Sequence, residues 1–307
     1  MRPKVKRPII GRAPQATLLE NEANLDGESV ACLTVFLTGN ECQFRCLMCD
    51  LWKHTAEDKL TPVGFISSQV ETAIATLRDS AADWIKLYNA ANFFAKQNIP
   101  REDLPSIASL VSRFERVVVE NHPRLLNEAI TDFSQSISGQ LEVAMGLETV
   151  HEETLLALNK GLTTEDYTKA CEWLHARQID SRTFVLLRPP GMSEQGGIEW
   201  AIKSAEFAVA NGTRHISIIP VRSGNGAMEH LRGRGLFEPP SAYALEYALV
   251  QCMGIGNAIF TVDLWDWEQL EGKCDTCSQQ RLERLARMNE TQQTSPSVKA
   301  DCNCNFA

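Results

Sequence analysis

Three cysteines lie within eight residues in the segment TGNECQFRCLMCDLW, which runs from Thr38 to Trp52. They are Cys42, Cys46 and Cys49, and their spacing is C-x3-C-x2-C. Thiolates are soft ligands that suit zinc and iron–sulfur clusters, and this spacing lets a short loop place three sulfurs around one centre. A stable metal cage usually takes four protein ligands, so the segment raises the question of what occupies the fourth position.

Two kinds of metal site fit these three thiols. In the first, His54 joins the cysteines and completes a four-ligand zinc site with a structural role. In the second, the thiolates bind three irons of a [4Fe–4S] cluster, and the fourth iron keeps a position that a small molecule can occupy. The residue types allow both, so the position of the loop in the fold has to be considered.

The cysteine loop follows an apolar, β-branched segment that predicts a strand. Further segments of this kind alternate with amphipathic helical patterns, an order that is typical of βαβ units and a parallel sheet. The sequence predicts six strong strand–helix units and a weaker terminal strand, whereas about eight units close a full barrel. The predicted strands cover residues 29–37, 84–90, 116–120, 141–148, 182–188, 215–221 and 258–264.

We therefore predict an α/β fold with a partial, TIM-like (β/α)6 barrel. The predicted core covers residues 28–264, between an N-terminal arm of residues 1–27 and a small, cysteine-containing C-terminal extension of residues 265–307. In parallel α/β sheets, the loops at the carboxyl ends of the strands carry the active site. The cysteine loop is one of these loops.

The net charge and the apolar segments indicate which kinds of partner the protein is expected to bind. The 307 residues carry a formal net charge of −9, from 39 acidic and 30 basic residues. A broad nucleic-acid footprint normally shows a basic excess, so this balance argues against one. We find neither a signal peptide nor the roughly 20 apolar residues that span a bilayer. We expect a cytoplasmic protein with no membrane partner, whose clustered cysteines serve metal or redox chemistry.

The C-x3-C-x2-C loop after the first strand of a repeating β/α domain resembles the radical S-adenosylmethionine (SAM) enzymes. Three other stretches resemble a subgroup related to the radical SAM subunit of archaeosine synthase, which is akin to elongator-type and methylthiotransferase radical SAM proteins. These stretches cover residues 146–167, 185–202 and 218–241. One position departs from the family, because Met48 stands before the third cysteine where an aromatic residue is usual. Methionine is apolar and can still pack over a cluster.

This resemblance implies that Cys42, Cys46 and Cys49 hold a [4Fe–4S] cluster whose unique iron binds SAM. It implies reductive cleavage of SAM to methionine and a 5′-deoxyadenosyl radical, with an electron donor such as a flavodoxin or ferredoxin. The substrate stays open: a tRNA base is one hypothesis, and a small molecule or a peptide is the alternative. A protein of a different class, a non-catalytic zinc protein, is the third hypothesis.

Polar residues at the strand ends form the predicted SAM site. In radical SAM enzymes, the end of the second strand commonly carries a Gly-Gly-Glu-like turn that meets the amino group of SAM. This chain has LYNAANFF there, so Asn89 or Asn92 would accept instead, unless the asparagine only forms the turn. The resemblance favours Glu120 and Glu148 as pocket residues, since a carboxylate accepts from a ribose diol or an ammonium group. The alternative for Glu148 is an acid at a helix N-terminus.

Three cations complete the predicted cofactor-binding residues. Lys160 precedes Gly161, which is typical of a helix stop, and its ammonium group can reach the carboxylate of SAM. Arg188 ends the fifth strand, where a guanidinium group suits the carboxylate of SAM or an anionic substrate. Arg222 follows the sixth strand beside the sequence SGNG, which brings backbone donors close to a ligand or forms an ordinary turn.

A second group of cysteines lies in the C-terminal extension, at Cys274, Cys277, Cys302 and Cys304. Four thiols are enough for a four-thiolate zinc site or for a second iron–sulfur cluster. The C-x2-C half is a common ligand pair and the C-x-C half is less usual. The alternative is that the last two cysteines belong to a frayed terminus.

Overall fold

A computed structural model describes residues 13–56, 60–77, 81–298 and 302. Among these residues, eight strands form one sheet in sequential order, and β1 is not paired with β8. The strands are β1 (Ala16–Ala23), β2 (Ser29–Leu37), β3 (Trp84–Asn89), β4 (Arg116–Glu120), β5 (Gln140–Glu148), β6 (Asp180–Leu187), β7 (His215–Pro220) and β8 (Ile259–Val262). Strands β2 to β8 are parallel, and β1 runs antiparallel to β2. The predicted partial barrel is therefore confirmed.

Helices follow the parallel strands, as the alternating pattern predicts. They are α1 (Phe65–Ala75), α2 (Leu104–Val111), α3 (Glu128–Ser136), α4 (Glu152–Ala157), α5 (Thr164–His175), α6 (Glu194–Ala210), α7 (Ala227–Gly233), α8 (Ala242–Cys252) and α9 (Ser278–Thr291). Two of them, α4 and α7, are short and were not expected from the sequence. Fully buried strand residues such as Val117, Val119 and Val143 form the main apolar core with the inner faces of the helices. No helix in the described ranges is long and apolar enough to cross a bilayer.

Strand β1 lies within the predicted N-terminal arm, of which residues 1–12 are outside the described residues. It pairs with β2 along its whole length, from Ala16 opposite Phe36 to Ala23 opposite Ser29. Its sequence contains two glutamates and an asparagine, so the apolar pattern that marks the other strands is missing. The carboxylates of Glu20 and Glu22 lie 2.7 and 2.6 Å from Nζ of the buried Lys86, which explains why these acids point into the barrel.

Buried ion pairs occupy the barrel interior toward the amino ends of the strands. Glu142 lies 2.5 Å from Nε of Arg182 and 2.9 Å from Arg116, and Arg182 also contacts Glu22 at 2.8 Å. Burial acts to raise the pKa of Glu142, but the positive charges around it, chiefly Arg182 and Arg116, together outweigh burial and lower the pKa to about 2. Because each buried charge has an opposite partner, this layer is a closed, polar base for the barrel.

An aromatic layer lies above the ion pairs, toward the carboxyl ends of the strands. The ring of Tyr88 is 6.3 Å from the ring of Phe36 and 6.3 Å from the ring of Phe184. Trp265, which follows β8, packs edge-on against Phe36 with a centroid distance of 5.3 Å. These rings separate the ion pairs from the space above, so that space has an apolar floor.

Helix α9 covers the edge strand β8. The side chain of Asn289 accepts from Val262 N and donates to Val262 O, both at 2.9 Å. Gln292 makes the same pair of bonds with Phe260, at 2.8 and 2.9 Å. At the opposite edge of the sheet, Glu290 accepts from the side chain of Asn21 in β1. The C-terminal helix thus occupies both ends of the open sheet and satisfies backbone groups that an edge strand would otherwise expose.

Candidate functional site

A cavity of about 270 Å³ opens at the carboxyl ends of the strands, above the aromatic floor. Its wall is formed by the cysteine loop and by residues that follow β3, β4, β5 and β7. The sequence-predicted residues that line it are Cys42, Cys46, Cys49, Asn89, Asn92, Glu120, Glu148, Lys160 and Arg222. The fold therefore brings together residues that are up to 180 positions apart in the chain.

Side-chain amides from three other loops hold the backbone of the cysteine loop. Asn98 donates to Asn40 O at 2.9 Å, and Asn159 donates to Arg45 O at 2.9 Å. Asn225 donates to the carbonyl oxygen of Leu47 at 2.7 Å and to that of Cys49 at 3.3 Å. Asn159 has a φ of 53°, a left-handed conformation that asparagine tolerates better than most residues. The loop is thus tied to its neighbours on several sides.

An aromatic stack supports the middle of the same loop. The ring of Phe44 lies 3.8 Å from the imidazole of His122, nearly parallel to it. Nδ1 of His122 accepts from Arg124 N, so the proton is assigned to Nε2, which is 3.2 Å from Lys160 O. Burial, and after it the charge of Lys160, lowers the pKa of His122 to about 3. The histidine is therefore a neutral platform for Phe44.

Asn92 is oriented toward a cysteine rather than toward the open cavity. Its carbonyl oxygen accepts from His122 N at 2.7 Å. Its amide group consequently faces Cys42, and Nδ2 lies 3.4 Å from Sγ. An N–H donor beside a ligating sulfur stabilises the thiolate form and tunes any metal bound to it. The geometry therefore gives Asn92 a role in positioning Cys42, whereas the sequence suggests it only as an acceptor for SAM.

Asn89 differs from Asn92, because its side chain has no partner. It ends β3, is 5% exposed, and lines the cavity. Both Nδ2 and Oδ1 lack a hydrogen bond among the described residues. Buried polar groups in native proteins almost always have a partner, and leaving one unpaired costs about 1–3 kcal/mol. An orphaned amide at the wall of a cavity indicates that a ligand supplies the missing hydrogen bonds.

Glu120 ends β4 beside Asn89 and lines the same wall. Burial raises its pKa to about 8, against the opposing effect of a hydrogen bond from the backbone N–H of Asn89. The side chain is therefore largely protonated at neutral pH and can donate as well as accept. A cationic or diol-bearing ligand next to it would favour the ionised form.

Glu148 and Lys160 form a buried ion pair at the cavity wall, with 2.5 Å between Oε1 and Nζ. A register shift between Gly146 and Glu148 interrupts the β5–β6 pairing, and Glu148 has a φ of 68°. This bulge turns the carboxylate toward Lys160, which an undistorted strand would not do. A Cβ on Gly146 would lie 2.2 Å from Oε1 of Glu148 and 2.5 Å from Nζ of Lys160. The glycine therefore makes room for the pair.

The two arginines that follow β6 and β7 have different surroundings. Arg222 lines the cavity, where its Nη1 lies 3.2 Å from Asp263 and 2.8 Å from Asp266. Arg188 is not among the residues that line the described cavity. Its guanidinium donates to Pro239 O at 2.8 Å and to Glu238 at 2.5 Å. Arg188 therefore connects β6 to the segment before α8 in this structure.

The arrangement of the sulfurs separates the two cysteine groups. Among the described residues, the sulfurs of Cys274, Cys277 and Cys302 all lie within 4.8 Å of one another, whereas Cys42, Cys46 and Cys49 line the cavity. Thiolates on one zinc ion are about 3.8 Å apart, given Zn–S bonds of about 2.3 Å and tetrahedral angles. The group in the C-terminal extension is therefore compact enough for a single ion. Cys304 lies outside the described residues.

The zinc interpretation of the cysteine loop also required His54. Its Nδ1 lies 2.7 Å from Nε2 of Gln15, and the histidine does not line the described cavity. Met48, in contrast, lines the cavity and packs against an apolar cluster that includes Leu158, Val221 and Met228. In this structure His54 is thus bonded to Gln15 rather than placed in the cavity wall, and the zinc alternative stays a prediction.

Several residues of the site were not anticipated from the sequence. Phe44 and His122 are 78 positions apart, and their stacking could not be read from either local segment. Asn225 lies in the SGNG segment, which the sequence indicates as a ligand loop or a turn. Its side chain instead links the cysteine loop to α7, where it accepts from Ala227 N and Met228 N. An asparagine just before a helix is a local signal for such a cap, but the sequence did not predict α7.

The chain is similar in sequence to archaeal proteins. It is 24% identical to the archaeosine synthase subunit beta of Methanosarcina acetivorans over 294 residues, which cover 91% of this chain and 84% of that protein. It is 23% identical to an uncharacterized protein of Methanocaldococcus jannaschii over 318 residues, which cover 95% and 84% of the two chains. No protein-family model matches the chain.

Solved structures share the fold at lower sequence identity. Methylornithine synthase superposes with a TM-score of 0.59 and 13% identity, covering 91% of this chain and 76% of that one. A radical SAM methyltransferase from Sphaerobacter thermophilus superposes with a TM-score of 0.54 and 15% identity, covering 80% of this chain and 73% of that one. The chain thus shares its fold with a radical SAM methyltransferase, and the predicted fold is confirmed.

The role of Asn225 in fixing the cysteine loop can be separated from its role as a helix cap. In Asn225→Asp, the carboxylate still accepts from Ala227 N and Met228 N but no longer donates to Leu47 O and Cys49 O. We expect faster hydrogen exchange of the Leu47 and Cys49 amides, by about five- to tenfold, because two lost bonds to carbonyl oxygens cost about 1 kcal/mol or more.

A matched control is Asn127→Asp, since Asn127 also caps a helix and donates to a carbonyl oxygen, that of Leu125, away from the cavity. The control should leave exchange in the cysteine loop unchanged. Equal exchange rates for Leu47 and Cys49 in both variants would show that Asn225 does not restrain the loop.

Proposed function

We propose that this protein is a radical SAM enzyme that binds a [4Fe–4S] cluster through Cys42, Cys46 and Cys49. The observation that carries the proposal is that these three thiols line a cavity at the carboxyl ends of a radical SAM-type sheet. Three thiolates leave one iron of the cluster without a protein ligand, and that iron would bind SAM.

The side chains around the thiols fit this group. When bound, the reduced cluster supplies one electron for cleavage of SAM to methionine and a 5′-deoxyadenosyl radical, and a flavodoxin or ferredoxin would replace that electron. Asn92 donates to Cys42 Sγ and thereby orients one ligand. Phe44, Met48 and the apolar floor shield the centre from water, which protects a reactive radical from side reactions.

SAM would occupy the cavity beside the cysteine loop. We assign the amino group of SAM to Asn89, because its Oδ1 is buried and unpartnered at the cavity wall. Glu120 would accept from the ribose hydroxyl groups, and the Glu148–Lys160 pair would present its ammonium to the SAM carboxylate. Arg222 adds a second cation on the opposite side of the cavity, although its charge is already paired with Asp263 and Asp266.

For the substrate, we propose a base in tRNA. The support is the similarity to a protein named archaeosine synthase subunit beta, which extends over 91% of this chain. The name of that relative also suggests that this chain works with a second subunit. The net charge of −9 indicates that any RNA contact is local rather than spread over the surface. A small-molecule or peptide substrate is the alternative.

The central prediction is that the anaerobic protein, reconstituted with iron and sulfide and reduced with dithionite, converts SAM to 5′-deoxyadenosine. Chromatography of the products measures the reaction. Replacing Cys46 by alanine should abolish cleavage, because the cluster loses one of its three protein ligands. Cys171→Ala, which removes a buried thiol outside the cavity, should retain it. A colourless protein that binds zinc and leaves SAM intact would contradict the proposal.

A second prediction distinguishes the two asparagines. Asn89→Ala should raise the Kd for SAM by about tenfold or more, because a hydrogen bond to a charged group contributes about 1.5–3 kcal/mol. Asn92→Ala should change Kd less but lower the reduction potential of the cluster, because it removes an N–H donor from a ligating sulfur. Calorimetry and a redox titration followed by electron paramagnetic resonance measure these quantities. A larger effect of Asn92→Ala on Kd would reverse the assignment.

The tRNA hypothesis predicts salt-dependent binding. A tRNA transcript should bind the reconstituted protein at low ionic strength, and the association constant should fall as salt is added, because counterions are released from the phosphates. Fluorescence anisotropy measures the binding, with a DNA duplex of similar length as the control ligand. Failure to bind tRNA at low salt, or equal binding of the duplex, would favour the small-molecule or peptide alternative.

A further inference from the structure

The C-terminal extension brings three cysteines together outside the cavity: Cys274 and Cys277, which are three positions apart, and Cys302, which follows 25 positions later. The sulfurs of Cys274, Cys277 and Cys302 all lie within 4.8 Å of one another. Cys277 is 1% exposed and the other two are half-buried. Nothing in the proposed radical chemistry uses these thiols, so their convergence requires another explanation.

We propose that these three thiolates, together with a fourth ligand that this group does not supply, bind a single Zn²⁺ ion that fastens helix α9 to the barrel. Sulfurs on one tetrahedral zinc ion are about 3.8 Å apart, with bonds of about 2.3 Å, and the observed group is compact enough for this. Thiolates on different irons of a cluster are farther apart, because each binds a separate iron atom. The spacing thus favours one ion over a second cluster.

The turn between the first two ligands has the form of a metal-binding knuckle. Cys277 N donates to Cys274 O at 3.2 Å, and Ser278 N donates to the same oxygen at 2.8 Å. This tight turn places both sulfurs on one side of the chain, directly before the first residue of α9. The C-x2-C spacing of the sequence therefore becomes a preformed pair of ligands.

A cation lies beside the buried thiol. Nε of Arg281 donates to Cys277 Sγ at 3.2 Å, and Arg281 is itself buried. Three thiolates and Zn²⁺ carry a net charge of −1, which a guanidinium next to a sulfur stabilises. The same guanidinium is ion-paired with Glu246 on α8, so the metal site would be coupled to the barrel through Arg281.

The third ligand, Cys302, lies near the other two because the chain reverses its direction after α9. The helix ends at Gln292, which has a φ of 52°. Arg284 then holds the returning strand of chain, since its Nε donates to Ser295 O at 3.0 Å and to Pro296 O at 2.9 Å. Cys302 consequently meets the N-terminal end of the same helix. An ion bound there would close the chain around α9.

An ion that links the two ends of the segment around α9 would affect the barrel, because α9 covers the open edge of the sheet. Asn289 and Gln292 on this helix satisfy the backbone groups of β8. A crosslink at one end of the helix limits its fraying and that of the chain behind it, as other covalent and metal crosslinks do. The ion would therefore stabilise the barrel without taking part in the reaction at the cysteine loop.

The test uses the full chain with Cys42, Cys46 and Cys49 replaced by alanine, together with the wild-type chain purified without iron reconstitution. Metal analysis by mass spectrometry should give about one Zn²⁺ ion per chain in both, as a single tetrahedral site requires. Replacement of the zinc by Co²⁺ should produce the absorption bands of a tetrahedral thiolate complex.

Cys277→Ser should abolish zinc binding, and the matched control Thr276→Ala, in the same turn but without a thiol, should retain it. Hydrogen exchange of α9 should become faster in Cys277→Ser and in zinc-free wild type, and should stay slow in Thr276→Ala. Loss of Co²⁺ bands in Cys277→Ser with a wild-type circular dichroism spectrum would separate loss of the ligand from loss of the fold.

Three results would overturn the proposal. Iron and inorganic sulfide in the triple alanine variant would indicate a second cluster at this position. A metal-free protein in which two of the thiols can no longer be titrated would indicate a disulfide. Zinc bound equally well by Cys277→Ser would place the ion elsewhere. None of these outcomes depends on SAM cleavage, so they are independent of the proposed enzymatic function.

Discussion

The hydrogen bonds between asparagine side chains and the backbone of the cysteine loop are the constraint on which the candidate site depends. Asn98, Asn159 and Asn225 come from three different βα loops, and each donates to a carbonyl oxygen of residues 40–49. A loop that carries metal ligands must hold its thiols at fixed positions before the metal can bind strongly. Here the parallel sheet does so, because it brings the three loops together at one edge.

The interior of the barrel divides the polar groups into two classes. Toward the amino ends of the strands, Glu142 and Arg182 are paired with each other and with further charges, so that no ligand is needed there. Toward the carboxyl ends, Asn89 is unpartnered and Glu120 has a pKa of about 8. The aromatic layer around Tyr88 separates the two regions. The charged side chains near the amino ends of the strands are thus paired with one another. Polar side chains near the carboxyl ends keep free hydrogen-bonding groups, as a ligand site requires.

The sequence was sufficient for the parallel strands and for the cysteine loop at their carboxyl ends, because both depend on local patterns. Apolar β-branched runs identified β2 to β8, and the spacing of Cys42, Cys46 and Cys49 identified the loop. Strand β1 was missed, since Glu20 and Glu22 point inward to partners on other strands. The difference between Asn89 and Asn92 was also out of reach, because it depends on His122 N, thirty positions away from Asn92. Such contacts exist only after the chain has folded.

The two cysteine groups show how backbone geometry can separate centres that share a ligand type. Both contain a C-x2-C pair, and the sequence leaves zinc and iron–sulfur open for the second. In the first group the third thiol is only four residues upstream, within the same loop, and this loop lines the cavity. In the second, Cys302 returns along a helix and lies close to a tight turn. Under the two proposals made above, the loop beside the cavity would leave room for a cluster and its ligand, whereas the compact group would enclose a single ion. The backbone, rather than the ligand type, would then determine which of the two groups can admit a substrate.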